Sequence, residues 1–132
     1  MLVLDANVVI PACTVDGGFR RFGRQALVAP PFMWSEARSS LHEAVWRGEL
    51  REDAGLRALG RLESSPVEAR THPEVGPEAW RIADELGFAK TYDAEYLALA
   101  SLLRCRLVTL DGRLRRGADS LGFVIGPGEL ER

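Results

Sequence analysis

The sequence has few of the residues that bind soft metals or form disulfides. Its 132 residues include two cysteines, Cys13 and Cys105, and two histidines, His42 and His72. Because the cysteines form no paired motif, a zinc site of the usual four-ligand kind is excluded. We expect both cysteines to be free thiols, since a lone disulfide is unusual in a chain of this size that lacks a secretion signal. A bound metal would therefore be a hard cation held by oxygen atoms.

Long apolar runs are also missing. No segment approaches the roughly 20 residues that a helix needs to span a bilayer. The first residues lack the basic flank and the small-residue cleavage site of a signal peptide, and Asp5 and Asn7 interrupt their apolar run. These features predict a cytoplasmic protein without membrane contact. The length is typical of one domain, which we expect to span residues 1–132.

Lysine is nearly absent, because Lys90 is the only one in the chain. The net charge is −2, which excludes a protein that binds nucleic acid through an overall positive charge. Arginine supplies the remaining positive charge, and its planar guanidinium forms paired hydrogen bonds to phosphate. Genome composition is an alternative explanation for the preference for arginine.

Short apolar segments alternate along the chain with segments of helical periodicity. Strands are predicted at residues 2–4, 26–29, 66–71, 106–110 and 123–125. Helices are predicted at residues 6–13, 32–46, 51–62, 76–86, 92–103 and 114–121, and Pro11 is expected to bend the first helix or limit it to a turn. This alternation predicts an α/β fold in which right-handed crossovers join a mostly parallel sheet, with helices on both faces.

Two of the predicted strands end in an aspartate. Asp5 follows the first strand and Asp111 follows the strand at 106–110. If these strands are neighbours, the two carboxylates lie close together in the crevice at the carboxyl edge of the sheet. Two anions at that distance repel and raise each other's pKa, whereas a divalent cation between them removes the repulsion. The pattern therefore favours a metal site.

Two further acids occupy comparable positions in helices. Glu36 lies near the start of the helix at 32–46, and Asp93 lies in the first turn of the helix at 92–103. Helix N-termini and strand C-termini share one end of a parallel α/β fold, so we expect all four carboxylates at one rim. Each acid also has a purely structural explanation, as a partner of the helix dipole, part of a turn or a solvated side chain. Their number, and the apolar surroundings of Asp5, favour a site.

Several short motifs resemble one family along essentially the whole chain. They are Leu4-Asp5-Ala6-Asn7, Ala29-Pro30, Ser35-Glu36-Ala37, Tyr92-Asp93-Ala94-Glu95-Tyr96-Leu97-Ala98-Leu99-Ala100 and Leu107-Val108-Thr109-Leu110-Asp111. The sequence is similar to the PIN-domain nucleases, and most closely to the VapC-type toxins of bacterial toxin–antitoxin pairs. The resemblance implies a three-layer α/β/α fold and a ribonuclease that depends on Mg²⁺ or Mn²⁺.

The resemblance also implies roles for individual residues. Asp5, Glu36, Asp93 and Asp111 match the acidic quartet that binds the metal and acts in catalysis. Asn7 and Thr109 match the supporting polar positions, although Thr109 is equally well explained as a β-branched strand residue. Two positions depart from the pattern: Ser39 stands where the family often has Asn, and Arg113 stands where some members have a further acid.

The resemblance extends to partners. RNA would be the substrate, and we expect it to contact arginines after the last aspartate, namely Arg113, Arg115 and Arg116, with Arg38 and Lys90 as weaker candidates. A VapB-like antitoxin and a second copy of the chain are the expected protein partners, with Phe32, Trp34 and Trp46 as candidate contacts. Core packing explains these aromatic residues equally well, and Trp80 has no assigned role.

Other functions compete with a toxin nuclease. An RNA-processing nuclease of the same fold is one alternative, and a PIN-like binding module without turnover is another. The four mutually repelling acids argue against the binding module. A phospho-acceptor receiver domain also places aspartates at strand ends, but it needs an adjacent acidic pair after the first strand and a lysine after a late strand. The segment Asp5-Ala6-Asn7 and the single Lys90 do not supply them.

Overall fold

The computed structural model describes residues 1–118 and 122–130. Five parallel strands form one sheet in the order β3-β2-β1-β4-β5. The strands are β1 (Leu2–Leu4), β2 (Leu27–Ala29), β3 (Val67–Ala69), β4 (Arg106–Val108) and β5 (Val124–Ile125). The helices are α1 (Ala6–Thr14), α2 (Phe32–Trp46), α3 (Glu52–Glu63), α4 (Val75–Leu86), α5 (Tyr92–Leu103) and α6 (Gly112–Gly117), with short 3-10 helices at Gly18–Phe22 and Pro127–Glu129.

The helices cover the sheet in two groups. Helices α1, α2 and α3 pack against one another, whereas α4 packs on α5, which contacts β1 and β4. The chain moves outward in one direction from β1 through β2 to β3, then crosses back to β4 on the other side of β1. With right-handed crossovers, the two directions place their helices on opposite faces. The predicted three-layer α/β/α fold is confirmed.

Strand β1 is the centre of the core. All three of its residues are fully buried, as expected for a strand covered on both faces. Helix α5 contacts it, and the buried residues of α5 include three small ones, Ala94, Ala98 and Ala100. Strand β1 pairs with β2 and β4, with Val3 opposite Val28 and Leu107. The chain's direction across the sheet reverses between β1 and β4, so the crevice that holds ligands in such sheets opens there.

Most element boundaries lie within one residue of the prediction, but β3 ends at Ala69, two residues before its predicted end, and α1, β4 and α6 also differ. Helix α1 continues through Pro11 to Thr14, because its buried Val8, Val9 and Ala12 compensate for the one missing backbone hydrogen bond. Strand β4 ends at Val108, two residues early. Helix α6 starts at Gly112, two residues early, and ends at Gly117, before the predicted end at residue 121; residues 119–121 lie outside the described part of the chain.

Within the described part of the chain, no helix combines the length and the apolar character that crossing a bilayer requires.

Candidate active site

Asp5 lies directly after the central strand and begins helix α1 as its N-cap. One oxygen, Oδ2, accepts a hydrogen bond of 2.9 Å from the Thr109 hydroxyl, and Oδ1 accepts one of 3.4 Å from the Asn7 amide. The Asp5 amide donates to the Val108 carbonyl of β4 at 3.1 Å. Asp5 is 7% exposed, so its carboxylate is nearly removed from water at the point where the direction of the chain reverses.

Thr109 links the ends of β1 and β4. Its hydroxyl has a single proton, which goes to the Asp5 carboxylate, because that is the charged acceptor and the contact is short. The same oxygen accepts from the Asn7 side-chain amide at 3.3 Å and from the Asp111 backbone amide at 3.0 Å. The Asn7 carbonyl oxygen accepts in turn from the Leu110 amide at 3.0 Å. Asn7 and Thr109 therefore restrict the orientation of the Asp5 carboxylate through these hydrogen bonds.

Burial raises the pKa of Asp5 to about 6. The hydrogen bonds from Thr109 and Asn7 oppose that shift, while the nearby carboxylates of Asp93 and Glu36 add to it. The negative charge on Asp5 is thus destabilised by its surroundings. A cation at this position would relieve the destabilisation.

Asp93 and Asp111 form the other side of the site. Asp93 is half-buried in the first turn of α5, and burial raises its pKa. The Asp111 carboxylate adds to the increase and the Arg113 guanidinium opposes it. Asp111 is the N-cap of α6, where its Oδ1 accepts from the amides of Arg113 at 2.9 Å and Leu114 at 3.1 Å. The structural explanation of Asp111 therefore holds, and it leaves Oδ2 for another partner.

Glu36 is held by a residue to which the sequence analysis gave no role. The Tyr96 hydroxyl donates a 2.7 Å hydrogen bond to Glu36 Oε1. Tyr96 is almost completely buried, and burial together with the Glu36 carboxylate raises the pKa of its hydroxyl far above the usual range. Tyr96 thus stays neutral and positions Glu36. The sequence does carry an indication of this contact: Tyr96 lies on the apolar side of its predicted helix, and a buried tyrosine hydroxyl needs a hydrogen-bond partner.

The four acids influence one another electrostatically, but their carboxylates do not converge on one position. Among residues 1–118 and 122–130, no group of three or more His, Cys, Asp or Glu side chains is placed so that it could together hold a metal ion. Mg²⁺ usually keeps several of its waters and takes one or two protein carboxylates. The donor set is all oxygen, and Arg113 compensates only part of its negative charge, so it fits a hard divalent cation held by two direct ligands and by others through water.

The predicted RNA-binding arginines have different surroundings. Arg113 is exposed, its guanidinium lies 4.0 Å from Asp111 Oδ2, and it lines a cavity with Asp93 and Lys90. Arg115 forms an ion pair with Glu129. Arg116 is exposed. Arg38 lies elsewhere, in an ion pair of 2.9 Å with Glu63.

The sequence model of the PIN domain family matches residues 2–119, and the chain therefore belongs to the PIN-domain family. The resemblance found in the sequence motifs is confirmed. The crystal structure of PAE2754 from Pyrobaculum aerophilum superposes with a TM-score of 0.78, covering 98% of this chain and 90% of that one. At 23% identity, this match supports the fold.

Two curated relatives from mycobacteria are similar over most of their length. They are VapC ribonuclease Mb0985 of Mycobacterium bovis and ribonuclease VapC9 of Mycobacterium tuberculosis. Each is 36% identical over 117 residues, which cover 86% of this chain and 88% of the relative.

Proposed function

We propose that this PIN domain is a ribonuclease of the VapC type that hydrolyses RNA phosphodiester bonds with Mg²⁺ or Mn²⁺. The observation that carries the proposal is Asp5, a buried carboxylate beside two further acids, with a raised pKa. Such an arrangement is costly without a cation, and perturbed groups of this kind are concentrated at functional sites. The mycobacterial relatives named as ribonucleases support the reaction class.

In this proposal Asp5 and Asp93 are the main metal ligands, and Asp111 and Glu36 bind directly or through water. When bound, the cation supplies polarisation of a phosphoryl oxygen and a water of lowered pKa. Asn7 and Thr109 keep the Asp5 carboxylate in one orientation. Glu36 accepts the proton of the attacking water at Oε2, because its Oε1 already accepts the Tyr96 hydroxyl. Asp111 is less suited to that step, since two backbone amides use its Oδ1.

The test is cleavage of a random-sequence single-stranded RNA pool by the parent and by Asp5→Asn. We expect the parent to cleave with Mg²⁺ or Mn²⁺ and to lose activity in EDTA. Asp5→Asn should lose several kcal/mol of transition-state stabilisation, a fall on the order of 10³-fold. Asp84→Asn, the same change at an exposed residue of α4, is the control and should cleave as the parent does.

The outcomes separate the candidate functions. Equal cleavage by the parent and Asp5→Asn under matched metal would contradict the site assignment. RNA binding without any cleavage by the parent would instead identify a PIN-like binding module. Sequencing the new RNA ends would show which bond is cut.

We further propose that the chain is the toxin of a toxin–antitoxin pair, with a VapB-like antitoxin and a second copy of itself as partners. Trp46 supports a protein-binding surface, because it is 80% exposed at the end of α2. Phe32 and Trp34 of the same helix are half-buried. Expression of the parent should arrest growth and Asp5→Asn should not. Co-expression of a small neighbouring reading frame should restore growth if the role is that of a toxin, whereas an RNA-processing nuclease would cause no arrest.

A further inference from the structure

A cavity opens beside the acidic residues at the connection between α4 and α5. Its volume is about 640 Å³, within the range of pockets that hold small organic groups. The lining side chains include two aromatic residues, two cations and one of the four acids, namely Phe88, Tyr92, Lys90, Arg113 and Asp93. The cavity therefore joins an apolar surface to the site of the proposed reaction.

Tyr92 is the feature that distinguishes this cavity. It directly precedes Asp93, and it is 57% exposed. The ring is nevertheless held in place, because it contacts Phe32 edge-on with centroids 5.7 Å apart and planes at 65°. Phe32 is fixed in turn against the buried Tyr96, with centroids 5.2 Å apart. An exposed ring that is already ordered loses little entropy when a ligand packs on it.

The cations lie at the same cavity. Lys90 is exposed just before Tyr92, and the Arg113 side chain is 83% exposed at the start of α6. Without a bound metal ion the acids of the site repel a phosphate, and these nearby cations offset part of that repulsion. An aromatic surface with neighbouring cations is the combination that binds unpaired nucleotides, since every base has a face that stacks and every nucleotide carries a phosphate.

We propose that this cavity binds the base of a nucleotide adjacent to the scissile phosphate of single-stranded RNA. The base packs on Tyr92 with Phe88 beside it, and Lys90 and Arg113 contact flanking phosphates. The inference rests on the proposed ribonuclease function and specifies how that site recognises its substrate. It also predicts an unpaired substrate, because a base inside a duplex has no free face to offer.

The binding test uses a fluorescein-labelled, ten-nucleotide single-stranded RNA that contains a bond cleaved by the parent, measured in EDTA so that it stays intact. Stacking on an aromatic residue contributes about 1–3 kcal/mol per base, so Tyr92→Ala should raise the Kd by about 5- to 150-fold. Tyr92→Phe should bind as the parent does. Trp80→Ala, which removes an exposed aromatic ring of α4, is the matched control and should have no effect.

The second arm separates base contact from a general structural effect. The oligonucleotide is made with one abasic nucleotide, placed in turn on each side of the cleaved bond. At the position whose base the cavity holds, the parent and Tyr92→Ala should bind the abasic RNA equally, because the missing base removes the interaction from both. Lys90→Ala and Arg113→Ala should each reduce the slope of log affinity against log salt concentration by about the amount expected for one phosphate contact.

Two results would overturn the inference while leaving the ribonuclease function intact. One is parent-like binding by Tyr92→Ala to an RNA that the parent cleaves. The other is an equal loss of affinity for the complete and all the abasic oligonucleotides, which would mean that Tyr92 supports the fold. If the parent cleaves no RNA with either metal, the proposed function itself fails and the inference fails with it.

Discussion

Two adjacent strands, β1 and β4, are each followed by an aspartate that begins the next helix, but the two aspartates have different surroundings. Asp5 is buried, its pKa is raised to about 6, and one 3.4 Å amide contact caps its helix. Asp111 is half-buried, and its Oδ1 accepts two shorter bonds from the amides of α6. The weak capping bond of Asp5 therefore does not offset the cost of burying its charge, whereas Asp111 has an evident structural function as a helix cap.

This difference separates residues kept for chemistry from residues kept for folding. A capping aspartate stabilises its helix by satisfying free amides and the helix dipole. A buried aspartate beside other carboxylates destabilises the fold unless a ligand compensates for it. We therefore expect the two residues to affect the free energy of unfolding with opposite signs, and three measurements test that expectation.

The largest expected effect on stability concerns Asp5 and depends on pH. Its pKa is about 6 in the folded chain against an ordinary value of 3.8. Between those values the folded state binds more protons than the unfolded state, so the free energy of unfolding falls as the pH rises. The accumulated loss above pH 6 is about 3 kcal/mol. In EDTA at pH 7.5, Asp5→Asn should therefore be more stable than the parent by up to that amount, measured by urea unfolding.

Two controls accompany the measurement on Asp5. The advantage of Asp5→Asn should shrink as the pH falls from 6 and disappear below about pH 3, well under the ordinary pKa of 3.8, where the parent aspartate is protonated in both states. Mg²⁺ at pH 7.5 should raise the melting temperature of the parent and leave that of Asp5→Asn unchanged, because the added ion binds only the intact site. A parent that is more stable than Asp5→Asn in EDTA at neutral pH would contradict the idea that Asp5 is destabilising.

The contrast between the aspartates also explains how far the sequence could predict the site. Strand ends and helix starts follow from local patterns, so the positions of Asp5, Glu36, Asp93 and Asp111 at one rim could be inferred from periodicity and parallel topology. The apolar surroundings of Asp5 already set it apart in the sequence, but the different hydrogen bonds of Asp5 and Asp111 depend on tertiary contacts that the sequence could not give. Glu36 and Tyr96 are 60 residues apart, and only the fold brings the starts of α2 and α5 together.

The boundaries that were predicted wrongly have a related cause. The apolar pattern continues through Thr109 and Leu110, which suggested a longer β4. The Thr109 amide still donates to the Ile125 carbonyl of β5 at 3.0 Å, but the Leu110 amide donates to the Asn7 side chain, so the ladder stops there. At the same point the Thr109 hydroxyl bonds to Asp5. Hydrogen bonds between residues more than a hundred positions apart in the sequence therefore override the local pattern that predicted a longer strand. The same contacts make Thr109 the connection between the two aspartates.

An intermediate effect is expected from breaking that connection with Thr109→Val. The change leaves Asp5 Oδ2 without its donor, and it removes the acceptor of the Asn7 and Asp111 amides. Unsatisfied buried groups cost about 1–3 kcal/mol, so the free energy of unfolding should fall by that amount. Metal-dependent cleavage should fall by about 10- to 100-fold, as for residues that orient metal ligands. Thr109→Ser keeps the hydroxyl and should retain most of both properties, and equal losses in Ser and Val variants would assign the effect to packing.

The smallest effect concerns Asp111→Ala, and its sign decides whether the comparison is right. Removing the cap frees the amides of Arg113 and Leu114 at the start of α6, which should lower the free energy of unfolding by about 1 kcal/mol. Asp111→Asn keeps an oxygen that caps helices equally well, so it should be as stable as the parent while still losing the charge. If both variants cleave RNA poorly and only Asp111→Ala is destabilised, the two oxygens of Asp111 have separate functions: Oδ1 supports the fold and Oδ2 supports the reaction. If Asp111→Ala is instead stabilised in EDTA, as expected for Asp5→Asn, the two aspartates are equivalent members of one repelling cluster, and the capping bonds are too weak to distinguish them.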